Sequence, residues 1–64
     1  MNELMITIGS EDWIYWKTYK TKAWEAWMEA RRKMEEIGMN IDNFYPDELR
    51  LRNENGEDID SWEL

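Results

Sequence analysis

The sequence predicts a small α+β domain of ββαβ type with a possible final strand, in which one amphipathic helix packs on a short antiparallel sheet. Three observations predict it. An apolar, β-favouring run at Leu4 to Ile8 is followed by turn-forming residues and by an aromatic run at Trp13 to Tyr19. From about residue 22 to residue 37 the apolar positions switch to a helical period, with Gly38 just beyond. Glu48, Leu49, Arg50, Leu51 and Arg52 then alternate strictly, as a half-buried strand does.

The first element is a strand at Leu4 to Ile8, and Gly9, Ser10, Glu11 and Asp12 supply the turn after it. The next segment admits two arrangements. Trp13 to Tyr19 can form the second arm of a hairpin, buried on both faces, after which Thr21 caps the helix. Alternatively, one long helix starts at Ser10 with Glu11 and Asp12 in its first turn, where carboxylates suit the positive end of the dipole. Its heptad stripe is Trp13, Trp16, Lys20, Ala23, Trp27, Ala30, Met34 and Ile37, broken only by Lys20. Four adjacent apolar residues, Trp13 to Trp16, fit a strand better than an amphipathic helix.

Within the helix, Ala23, Trp24, Trp27, Ala30, Met34 and Ile37 face the core, and Glu29 with Lys33 forms an i,i+4 pair. Glu35 and Glu36 sit at the unfavourable negative end. Residues 39–46 read as a loop in which Pro46 holds Tyr45 extended. In the strand at 48–52 the leucines are buried and the arginines wet. Asn53, Glu54, Asn55 and Gly56 form a turn, with Asn55 and Gly56 tolerant of positive φ. Residues 53–64 are then an acidic hairpin arm or tail of the single domain 1–64.

A chain of 64 residues buries only about 60% of its unfolded surface, so few large apolar side chains can be spared for display. Most of Trp13, Trp16, Trp24 and Trp27 is therefore expected in the core. With no cysteine, neither a disulfide nor a thiolate zinc site can reinforce that core, which leaves aromatic packing or oligomerisation. The run at Leu4 to Ile8 is too short for a signal peptide or a membrane span, which fits a cytoplasmic protein.

Composition also closes off most chemistry. With no histidine there is no triad and no imidazole ligand; neither Ser10 nor Ser61 sits in a GxSxG elbow, and no glycine-rich phosphate loop exists. The run Asn53 to Asp58 is out of register with a calcium loop: aligning Gly56 on the loop glycine puts Leu51 and Trp62 at the first and last ligand positions. No enzyme activity, cofactor or metal is expected. Lys17, Lys20 and Lys22 interleave with aromatics, but a net charge of −7 repels phosphate, so direct nucleic-acid binding is not expected either.

The charge is concentrated. Residues 1–41 carry seven acids and six bases, whereas residues 42–64 carry eight acids against Arg50 and Arg52. The candidate partner-binding residues are Glu54, Glu57, Asp58, Asp60, Trp62 and Glu63. If 57–62 is a strand, Asp58 and Asp60 point the same way about 6.6 Å apart, near the phosphate spacing of a nucleic-acid strand. Such an array suits a basic groove on another protein, with Trp62 as an apolar anchor or a clasp for the C-terminal segment. In size, charge and lack of catalytic residues the chain resembles the compact acidic proteins with which bacteriophages disable host factors, some of them mimics of DNA. That resemblance implies a non-enzymatic inhibitor acting in the host cytoplasm on a partner with a basic, nucleic-acid-binding surface. The alternative is a structural subunit that self-associates through the Trp-rich stripe; the chain itself is expected to be a monomer or weak homodimer.

Overall fold

The computed structural model describes residues 1–9, 13–42 and 44–64 and contains β1 (Asn2–Thr7), β2 (Trp13–Thr18), α1 (Ala23–Glu36), β3 (Glu48–Arg52) and β4 (Asp58–Glu63). The strands form one antiparallel sheet in the order β2-β1-β3-β4, so β2 and β4 are its edges. The expected ββαβ fold is present, with the final strand formed. The long-helix alternative is not: Trp13 and Trp16 lie on β2, so the heptad stripe is interrupted before the helix starts.

Cross-strand pairing sorts the side chains onto two faces. Leu4 lies opposite Trp16 and Leu51, and Ile6 opposite Ile14 and Leu49; these residues face the helix. The buried core is Leu4, Ile6, Leu49 and Leu51 from the sheet with Ala23, Ala26, Trp27 and Ala30 from α1. Three small alanines around Trp27 let the helix backbone approach the sheet while the indole fills the space between the layers. The alternation in β3 is as expected, Leu49 and Leu51 buried and the arginines half-exposed. Several other expectations fail. Trp24 and Ile37 are exposed, whereas Ala26 and Ile41 are buried. Of the four tryptophans assigned to the core, only Trp27 is wholly buried, and β2 is a partly exposed edge strand, not one buried on both faces. A single helix cannot cover both margins of a four-stranded sheet, so aromatics on β2 and on the flank of α1 stay half-wet.

The ends of α1 are set by unequal means. Thr21 does not cap it; the N-cap is Lys22, whose side chain makes no capping bond. Asp60 of β4 instead accepts a hydrogen bond from the Ala23 N–H at 2.6 Å. At the other end Gly38, at φ 82°, closes a Schellman turn in which its N–H donates to Glu35 and the Met39 N–H donates to Met34. The expected Glu29–Lys33 pair is absent: Lys33 pairs with Glu36 at 3.2 Å, which relieves that acid's unfavourable place at the helix end. Glu29 turns toward β2. The turn expected at residues 9–12, and the alternative cap at Ser10, lie beyond Gly9 outside the described residues.

Candidate partner-binding surface

The six candidate residues all lie on β4 or on the turn before it, and the local chain explains where each goes. Asn53 organises the turn: its side-chain oxygen accepts from the N–H groups of Asn55 and Glu57, and its backbone pairs with Glu57. Gly56 takes positive φ, at 81°, while Asn55 does not. Glu54, on this turn, pairs with the N-terminal amine, which holds its carboxyl below the ordinary carboxylate range.

Beyond the turn a bulge decides the geometry. Arg52 lies opposite Asp58 but Leu51 lies opposite Asp60, so Ile59 is an extra residue on β4. An extra residue reverses the alternation. Asp58 therefore shares the open face with Arg52, bonded to its Nε at 3.0 Å, while Asp60 shares the helix face with Leu51. The expected row of parallel carboxylates does not exist. Asp60 is instead a structural acceptor at the helix N-terminus, where its charge also suits the dipole.

Trp62 is half-buried against the core and stacks on Trp24, ring centroids 4.9 Å apart at 47°. It clasps β4 to the helix. Trp24 carries the exposed part of the pair, at 44%. Sequence reasoning placed Trp24 in the core and so missed it as a surface group; its place on the margin of the apolar arc, next to Glu25, was the available signal. Glu57 and Glu63 are exposed and have no cationic partner among the described residues. Glu63 lies directly opposite Glu48, a like-charge pairing relieved only by Arg50, which bonds Glu48 at 2.7 Å and lies over the Trp13 ring. No group of three or more acids suited to a metal ion occurs among the described residues.

No protein-family model, curated protein or solved structure matches the chain. The surface must be interpreted from its own chemistry. It offers an aromatic pair half-open to solvent on the helix side of β4, and on the turn and open side of β4 four acids, Glu54, Glu57, Asp58 and Glu63, of which two are already matched by positive groups. No helix is long and apolar enough to cross a membrane among the described residues.

Proposed function

We propose that the chain is a non-enzymatic acidic inhibitor or regulator that docks its β4 side against a basic, nucleic-acid-binding surface of a partner protein, in the manner of the small phage proteins it resembles in size and charge. The observation that carries this is the Trp24–Trp62 pair, with Trp24 44% exposed, on the helix side of the same edge strand whose turn and open side carry the unmatched carboxylates of Glu57 and Glu63. A tryptophan anchor supplies apolar contact and the acids supply steering and selectivity for positive charge. What a basic groove meets here is a region of negative potential, not a phosphate-spaced ladder, because the bulge splits Asp58 from Asp60.

The test neutralises Glu57, Asp58 and Glu63 together, as Gln, Asn and Gln, and leaves Asp60 intact because it caps the helix. Tagged protein with and without the three changes is used to capture partners from bacterial lysate at low and high salt. Capture of a basic protein that weakens with salt and is lost in the triple variant is expected. Undiminished capture by a variant that keeps its circular dichroism spectrum refutes the assignment.

A further inference from the structure

The two edges of the sheet differ in how they meet other strands. β4 carries a bulge and three acids, Asp58, Asp60 and Glu63, features that discourage another strand from pairing with an edge. β2 carries none of these. It is six residues long, free of proline, regular in its pairing with β1, and aromatic or β-branched at its first four positions. Its single charge, Lys17, is already matched by Glu3 at 3.0 Å. Ile14 and Tyr15 are 38% and 58% exposed, and no strand lies on the outer side of β2 among the described residues.

We infer that β2 is a self-association edge: two copies of the chain pair β2 with β2 antiparallel about a two-fold axis at Tyr15, forming an eight-stranded sheet with both helices on one face. Charge decides between the two edges, and the self-complementary two-fold pairing of β2 decides for a second copy as the occupant. Each copy is −7, with its excess on the β4 side, and β4 stands three strand spacings, roughly 14 Å, from β2. Joined through β2, the two β4 edges lie seven spacings apart, about 34 Å, several Debye lengths at physiological salt. Joined through β4, the acids meet directly. A two-fold axis requires each face to continue onto itself, and an axis at Tyr15 places Ile14 against Trp16 of the other copy on the helix side. On the open side it places Lys17, paired with Glu3, across from Trp13, which lies under Arg50. Both β4 edges stay clear, so the inference stands or falls independently of the proposed partner.

A six-residue edge contact is small, so a weak dimer is expected, seen in sedimentation equilibrium as an apparent mass rising from 7.9 kDa toward twice that value as concentration approaches about 0.5 mM. Replacing Ile14 and Tyr15 together with lysine is expected to hold the protein monomeric over that range with its circular dichroism unchanged. Because the chain has no cysteine, a second arm is clean. Across the axis the two Tyr15 Cα atoms sit about 4.5–5.5 Å apart, within disulfide reach, so Tyr15→Cys is expected to cross-link under mild oxidation while Ser61→Cys on β4 does not. A wild-type chain that stays monomeric throughout, a lysine variant that dimerises as well as wild type, or Ser61→Cys cross-linking as fast as Tyr15→Cys overturns the inference. Should the lysine variant unfold, the cysteine pair decides.

Discussion

Replacing Asp60 tests whether this acid serves the fold or a partner. Its carboxylate is the acceptor for the first N–H of α1, reached from β4 across 37 residues of sequence, at 2.6 Å. Loss of a side-chain N-cap costs about 0.5–2 kcal/mol, and an anion at a helix N-terminus contributes about 0.3–1 kcal/mol. The terms overlap, so Asp60→Ala is expected to destabilise by about 1–2 kcal/mol. Asp60→Asn keeps an acceptor and loses the charge, and about 0.5 kcal/mol is expected. For a domain of this size 1 kcal/mol moves Tm by about 4–8 °C, so the alanine variant should melt about 5–15 °C below wild type and the asparagine variant about 2–4 °C below it. Thermal unfolding followed by circular dichroism at 222 nm reads both. An alanine variant within about 2 °C of wild type would refute the cross-strand cap and return Asp60 to the pool of acids available for binding.

Glu29 accepts from the Trp16 indole at 3.0 Å and from the Thr18 hydroxyl at 2.7 Å, and Thr18 is only 2% exposed. Glu29→Ala strands both donors and is expected to cost about 2–3 kcal/mol in urea unfolding, whereas Glu29→Gln keeps the acceptor and costs less. Those two bonds, Thr18's foremost, hold the Glu29 carboxyl below its usual 4.5. A depressed folded value gives stability that is present above the unfolded pKa and is lost as pH falls through the folded one. Wild type should therefore lose stability on acidification below about pH 4.5 more steeply than Glu29→Gln; parallel pH profiles would count against the clamp. Glu63→Lys removes the like-charge pairing with Glu48 and is expected to raise stability by about 0.2–1 kcal/mol while weakening capture of a basic partner. A destabilised Glu63→Lys would show that the pairing carries no strain.

The elements were legible because each has a local cause: alternation in β3, the 3.6-residue period of α1, Gly38 at its end. What pairs with what was not. Glu29 stands four residues before Lys33, which is the arrangement of a surface ion pair, and nothing local reveals that the hairpin brings Thr18 and Trp16 closer to it. Thr21 stands where a cap belongs, yet the helix begins at Ala23 and a carboxylate 37 residues on supplies the acceptor. In the candidate site, the acids and Trp62 were legible as a run, but their directions depend on one extra residue, Ile59. A bulge is invisible to a period-two count, and a single insertion sends Asp58 and Asp60 to opposite faces. Trp24 was misplaced because a periodic pattern marks the apolar arc without saying how much of that arc the sheet contacts.

The same sorting bears on why the chain carries so much negative charge. Glu48, Asp58 and Glu54 are each matched by a cation, and Asp60 is held by the helix, so these acids have a structural reason to be where they are. Glu57 and Glu63 do not, and Glu63 faces Glu48 across the sheet. Excess charge of one sign works against the compact state of a domain with a core this small. Glu57 and Glu63, exposed and without an ion-pair partner among the described residues, lie on the β4 edge, whose helix side carries the half-exposed Trp24–Trp62 pair, and this is the arrangement expected of a surface completed by someone else's positive charge. The regular, acid-free strand at the opposite edge is the side on which two such molecules can meet without bringing that charge together.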